Sequence, residues 1–469
     1  MVFFRHGAGV LAYYKRFQLS RENEKGESVI ERQRQLERLV SVMGNGTVKV
    51  ITGIRRCGKS YLLNTIFRKY LQKQGVRKDH IIAVALDLDE YEELQNPRKL
   101  SAYLKKRLKA DGKMNYVFID EIQLSYKVLK EGVKLEEVAP EDRDSVWLTF
   151  YDVLNSLNAK QNVDVYVTGL NSKMLSKDVA TTFRGRKTEI QLMPLSFSEF
   201  HRYRAGDKAD DWQEYLTFGG LPQVVLAADE REKVSVLNEL FNNLYLKDLV
   251  DRNKIATPMY LDNVMRTLFS SVGSLTNPSR LAKAMRGHGA DAPSLPTIRK
   301  FFDYLVDAYL FRKAERYDVR GKRYLDYPSK YYAEDVGMRN ARLGFREQEE
   351  THLMENVIYN ELVRRGYSVD VGVVEIEHKD NGTRELRLHE IDFIVNTGSK
   401  KIYIQSAYGM NDPIQAEREK LPLLRTGDVF TRMIVTDGNG RAWRDEDGVV
   451  RVGIIPFLLD ESLLDSVAV

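Results

Sequence analysis

Gly53-Ile54-Arg55-Arg56-Cys57-Gly58-Lys59-Ser60 is a complete GxxxxGKS phosphate-binding loop. An apolar-alternating run, Val48 to Ile51, precedes it, and a helix-period segment, Tyr61 to Leu71, follows it. The motif needs that strand–loop–helix setting. Gly53 and Gly58 let the backbone turn tightly and aim its N–H groups at phosphates. The following helix adds the positive end of its dipole. Gly53 to Tyr61 are therefore the expected cofactor cradle. Lys59 reaches the β- and γ-phosphates, and the Ser60 hydroxyl holds Mg²⁺. The predicted cofactors are ATP and Mg²⁺.

A second motif reads Tyr116-Val117-Phe118-Ile119-Asp120-Glu121. Four apolar residues predict a buried parallel strand, with the acidic pair at its C-terminal end, where ligands bind in open α/β sheets. Asp120 is the expected second metal residue, direct or through water. Glu121 is the expected base that polarises the attacking water, so hydrolysis is predicted rather than binding alone. A third strand, Val163 to Thr168, leads into Gly169-Leu170-Asn171-Ser172. Asn171 is the first choice for a polar contact to the γ-phosphate or the water, and Ser172 the second; a plain helix N-cap is the alternative. In Phe183-Arg184-Gly185-Arg186, Arg184 or Arg186 is placed to act in trans on a neighbouring subunit's γ-phosphate. An ordinary surface loop is the alternative there.

The chain has 469 residues, enough for about two to four domains, and 43% apolar residues, enough for buried cores. No run approaches the ~18–20 apolar residues of a membrane span. The start has neither an apolar core nor a cleavage site of signal-peptide type, so a cytoplasmic location is expected. The single cysteine, Cys57, excludes an intrachain disulfide. The seven histidines (6, 80, 201, 288, 352, 378 and 389) show no metal-ligand spacing. A net charge of +5 permits nucleic-acid binding without requiring it.

Alternating strands and helices predict an α/β fold, a mostly parallel sheet with helices on both faces around the P-loop, over 29–205 after a leader at 1–28. Within it, a helix at Val29 to Met43, strands at Ile81 to Leu88 and Ile190 to Leu195, and a charged surface insertion at Lys127 to Asp144 are expected. Ser196 and Glu199 form a capping-box pair. Gly219-Gly220-Leu221-Pro222 predicts a fixed bend between domains. Over 206–345 the pattern is helical, with helices at Pro278 to Met285 and Thr297 to Leu310. A hairpin, Phe311 to Tyr332, follows with Arg320-Gly321-Lys322-Arg323 at its tip. That is the outline of a winged helix. Arg299, Lys300, Arg320, Lys322 and Arg323 are the candidate DNA contacts, suited to a phosphate backbone; a solvated hairpin or a protein contact is the alternative.

The region 346–469 reads as a restriction-endonuclease-like domain. Glu355 lies on a helix, Asp392 on a strand, and Gln405 on the next strand. Such acids would hold Mg²⁺ and a lysine would stabilise developing charge. The lysine position is Ala407, with Lys400 or Lys401 as remote substitutes, so Glu355, Asp392 and Gln405 are read as a degenerate, non-cleaving site.

With these stretches in view, the chain resembles the prokaryotic AAA-type ATPases that carry a C-terminal domain of unknown function. The resemblance rests on residues 53–60, 116–123, 167–175, 183–186, 189–200, 218–225, 244–252, 330–341, 353–367, 390–393 and 402–408. It implies an ATPase core, a winged-helix middle and a nuclease-like C-terminal fold, with Lys59, Ser60, Asp120 and Glu121 in the roles above. Leu170 departs from the small hydroxyl residue of many relatives, and Ala407 from the nuclease lysine. Three functions are expected in order: a homo-oligomeric ATPase acting on branched or double-stranded DNA, a nucleotide-dependent switch in regulation or defence, and an ATP-regulated nuclease.

Overall fold

The computed structural model describes residues 30–169, 187–241, 246–286, 292–346, 349–380, 383–396, 398, 400–409 and 413–467. The expected leader at 1–28, and Asn171, Ser172, Arg184 and Arg186, lie outside them. The chain divides into two units, Met1–Leu192 and Met193–Val469.

In the first unit, β1 (Val48–Thr52), β2 (Ile81–Ala85), β3 (Asn115–Asp120), β6 (Val163–Thr168) and β7 (Lys187–Gln191) form an all-parallel sheet in the order β2-β3-β6-β1-β7. Two short strands, β4 (Val128–Leu129) and β5 (Trp147–Leu148), pair antiparallel and bracket the charged insertion, most of which is exposed. β3 shows why the continuous apolar run predicts burial on both faces. Val117 and Ile119 join a core with Leu100, Leu104, Leu154 and Leu157. On the other face, Phe118 meets Phe67 and Tyr166, with ring centroids 5.8 and 5.6 Å away. Each such fully buried side chain contributes about 1.5–3 kcal/mol.

Two strands end elsewhere than expected. β2 stops at Ala85; Leu86 still donates to Asp120 O at 3.2 Å, and Leu88 N–H then turns back to Ala85 O at 3.1 Å. β7 begins and ends earlier than Ile190 to Leu195: Leu192 makes its last ladder-like bond, to Thr52 O at 2.8 Å, and Pro194 has no N–H to continue it. The first helix spans Gln33–Ser41, shorter than expected at both ends.

Under this sheet the structure buries an ion pair. Lys49 of β1, with 0% exposure, pairs with Asp164 of β6, which also accepts from Tyr166 Oη at 2.8 Å and Gly44 N at 2.9 Å.

The second unit opens on helices. Ser196 caps Phe197–Arg204, and Ser196 and Glu199 exchange the expected reciprocal bonds at 2.9 and 3.0 Å. The helix Lys208–Phe218 ends at Gly219, whose φ is +75°. The Gly219-Gly220 bend lies inside this unit, not between the two units. Asp335 clamps it, accepting from Gly220 N at 2.8 Å while capping the helix Val336–Arg342 through Met338 N at 3.0 Å. A Cβ on Gly219 would sit 2.2 Å from Asp335 Oδ1, so only glycine permits the clamp.

The rest of the unit is built on one nine-stranded sheet. It comprises β8 (Leu275–Thr276), β9 (Phe311–Asp318), β10 (Arg323–Ala333), β11 (Ser368–Asp380), β12 (Thr383–Asn396), β13 (Lys401–Ala407), β14 (Thr431–Thr436), β15 (Trp443–Arg444) and β16 (Val450–Gly453), ordered β15-β16-β14-β13-β12-β11-β9-β10-β8. The expected helices appear at Pro278–Arg286 and Leu295–Asp307, and β9 and β10 form the expected hairpin. The hairpin is not a free wing, because β9 pairs in parallel with β11. The helix Glu350–Arg364 packs on β10, β11, β12 and β13 and buries Glu355 and Glu361 among its apolar residues.

Candidate functional site

The phosphate loop joins β1 to a helical run that begins at Lys59 and continues through a π-segment, Leu62–Phe67, to Lys73. Gly53 (φ +136°) has no room for a side chain: its Cβ would lie 2.0 Å from Leu192 O. Gly58 is left-handed (φ +97°) at the N-cap, and no side chain caps the helix. Ile54 and Cys57 are buried, Arg55 is half-buried, and Arg56, Ser60 and Tyr61 are exposed. Lys59, buried, donates to Gly53 O and Ile54 O, each at 3.0 Å. An uncapped helix start and an ammonium whose bonds here go to carbonyls of its own loop are the donor set that phosphate oxygens satisfy.

Asp120 ends β3, buried, and accepts a short bond from the Thr168 hydroxyl. The same hydroxyl accepts from Glu121 N at 3.1 Å. Thr168 thus ties the ends of β3 and β6 together. Glu121 is left-handed, with φ +52°, which turns the chain just past the strand. The Gln123 side-chain amide donates a short bond to the Glu121 carboxylate. Burial pushes the Glu121 pKa up, while the Gln123 bond and the Lys59 charge pull the other way. The residues could hold a nucleoside triphosphate with Mg²⁺, the loop and Lys59 facing the phosphates and Ser60 and Asp120 the metal, with Glu121 next to them at the strand end. Thr168 and Gln123 escape the sequence reading. Their signals are a hydroxyl ending a strand and an amide two residues past the glutamate.

Residues 45–201 match the model of an AAA domain, and residues 209–349 match a domain of unknown function (DUF8612). An uncharacterized protein of Haemophilus influenzae is 31% identical over 438 residues, covering 92% of this chain and 99% of its own. The chain belongs to the same family as that protein. An uncharacterized protein of Methanocaldococcus jannaschii is 28% identical, covering 87% of each chain. The structure of the Aeropyrum pernix ORC1 protein in complex with DNA overlaps 67% of this chain and 93% of its own at 12% identity, with a TM-score of 0.27, too slight an overlap to bear on function. No helix among the described residues is long and apolar enough to cross a membrane.

The second unit gathers the other expected residues. Glu355, Asp392 and Gln405 converge, and Lys330 of β10 lies among them. Its ammonium is 2.8 Å from Glu355 Oε1, 2.6 Å from Glu390 Oε1 and 3.4 Å from Asp392 Oδ1. Tyr332 Oη donates to Glu355 Oε1 at 2.7 Å, Ser406 N to Asp392 Oδ2 at 2.9 Å, and the Gln405 amide to Glu419 Oε2 at 2.8 Å. Burial and the Glu355 charge push the Asp392 pKa up, with Lys330 pulling against them. Burial also acts to raise Glu355, but Lys330, His352 and Tyr332 outweigh it and hold that carboxyl low. The constellation therefore does contain a lysine, from a strand the motif does not predict. Lys401, by contrast, lies over the rings of Tyr317, Tyr403 and Phe430. Lys330 and Glu390 escape the sequence reading, although Lys330 alternates with Tyr332, and Glu390 with Asp392, on one strand face each.

The candidate DNA contacts are scattered in character. Arg299 and Lys300 are exposed on the helix Leu295–Asp307. Lys322 is at the hairpin tip with φ +51°. Arg323 faces Asp318 at 3.5 Å. Arg320 donates to Arg425 O at 2.9 and 3.2 Å, so its guanidinium is partly engaged within the unit. Two histidines without motif spacing, His378 and His389, meet across the β11–β12 hairpin at 2.7 Å.

Proposed function

We propose that the chain is a Mg²⁺-dependent ATPase that works as a homo-oligomer and couples hydrolysis to binding or remodelling branched or double-stranded DNA. The observation that carries the ATPase part is Asp120-Glu121 at the end of β3, in the same parallel sheet as β1, which leads into the phosphate loop. Lys59 binds the phosphates, Ser60 and Asp120 hold the metal, and Glu121 takes the proton of the attacking water. Mg²⁺, when bound, neutralises charge developing on the phosphate oxygens. Arg184 or Arg186 would reach a neighbour's nucleotide, and Asn171 the γ-phosphate. The extents 29–205, 206–345 and 346–469 are proposed for the ATPase, winged-helix and nuclease-like parts. The winged-helix reading is supported by two helices between β8 and the β9–β10 hairpin, the nuclease-like one by the convergence of Glu355, Asp392 and Gln405.

DNA action rests on the basic residues Arg299, Lys300, Lys322 and Arg323. Duplex or branched DNA is expected to raise ATP turnover at low salt, with the stimulation falling steeply as salt rises. Turnover indifferent to every DNA form at low salt contradicts the DNA part and leaves the ATPase part standing. A second reading, a nucleotide-dependent switch, is favoured by the Gln123 bond that engages the Glu121 carboxylate. Tightly retained ADP and assembly only after exchange for ATP would support it.

A further inference from the structure

A nuclease-like site implies a divalent cation among Glu355, Asp392 and Gln405, and this structure lets that fit be tested. An ammonium has three N–H donors. Lys330 lies within 3.4 Å of three carboxylates, Glu355, Glu390 and Asp392, from two further elements, the helix Glu350–Arg364 and β12. Lys330 is 3% exposed, so bulk water offers its charge little alternative. Other groups around Glu355 and Asp392 are also engaged. Tyr332 bonds Glu355, Ser406 N bonds Asp392, and Gln405 accepts from Asp392 N at 3.3 Å while donating to Glu419.

A divalent cation needs oxygens at about 2.0–2.6 Å. Its place among these carboxylates overlaps that of the Lys330 ammonium, and a divalent ion held by the same oxygens would be repelled by that ammonium in a buried, weakly screened setting. Among the described residues no group of three or more His, Cys, Asp or Glu is arranged to hold a metal ion. The residues present do not fit the metal.

We propose that Lys330 is the resident cation of this site, a tethered ammonium in the place of a divalent metal, which makes the constellation an internal lock between β10, the helix Glu350–Arg364 and β12. The proposal rests on the nuclease-like reading of 346–469. It reverses one expectation: the site is not silent because a lysine is missing, but because one stands where the metal would.

The test is Mn²⁺ binding to the full chain without nucleotide, read by loss of the free-ion EPR signal, alongside the melting temperature with and without millimolar Mn²⁺. Wild type is expected to bind no Mn²⁺ at this site and to melt unchanged. Lys330→Met is expected to bind one ion per chain and to gain stability from it, and Glu355→Gln added to Lys330→Met to abolish both. Should Lys330→Met be unfolded alone, Mn²⁺ is expected to restore its fold. One Mn²⁺ per wild-type chain, lost in Glu355→Gln, overturns the proposal but leaves the nuclease-like reading intact. A Lys330→Met chain that neither binds Mn²⁺ nor is rescued by it overturns both.

Discussion

Exchanging Glu121 for Gln is expected to slow ATP turnover by about 10²–10⁴-fold, the range a positioned general base contributes. Nucleotide binding is expected to persist, because Lys59, Gly53, Gly58 and Ser60 are untouched. β3 is buried on both faces and ends at Asp120, so the next residue emerges at the edge where ligands bind in such sheets. Thr168 pins the Glu121 backbone, and the left-handed turn there aims the chain away from the strand. Gln is of nearly the same shape but cannot take a proton. Steady-state kcat with a parallel nucleotide-binding titration decides it. A Glu121→Gln enzyme within a few-fold of wild-type kcat would mean that another group activates the water.

Replacing Lys49 by Ala is expected to destabilise the first unit by about 3–5 kcal/mol, the cost of leaving one partner of a buried pair without the other. Lys49 is wholly enclosed, and Asp164 is nearly so. Tyr166 and Gly44 would still donate to Asp164, which places the loss toward the lower end of that range. By contrast, Lys49→Met with Asp164→Leu removes both charges and is expected to be close to neutral. Since the chain has two units, a global melting curve mixes transitions. Hydrogen exchange in β1 and β6 reads the first unit directly. Protection there that is unchanged in Lys49→Ala would show that the pair contributes little.

What was legible in the sequence was what lies contiguous in it. The loop from Gly53 to Ser60 and the strand ending in Asp120-Glu121 each hold their chemistry within a few residues, because a phosphate cradle is mostly local backbone. The capping box at Ser196 and Glu199 is legible for the same reason. The strand limits of β7 were not, since a neighbouring strand, Thr52 above all, decides where the ladder ends. The joining of the hairpin to the last strands was also hidden. It depends on β9 meeting β11 across some fifty residues of chain, and no local pattern encodes that pairing.

The acidic constellation lies between these cases. Glu355, Asp392 and Gln405 are readable from a helix–strand–strand order, and the structure brings them together. Lys330 is not readable, because it enters from β10, ahead of all three in the chain. Arg320 shows the reverse. It looks free at a hairpin tip, and the carbonyl of Arg425, more than a hundred residues later, takes up its guanidinium.

Lys59, Asp120 and Glu121 are proposed to form an ATP-hydrolysing centre. Phosphate release from ATP and Mg²⁺ by the purified full chain, wild type beside Lys59→Ala, tests it most directly. Steady release by wild type, lost in Lys59→Ala together with nucleotide binding, is the expected result. Equal release by both proteins, or none by wild type under any condition, would contradict it.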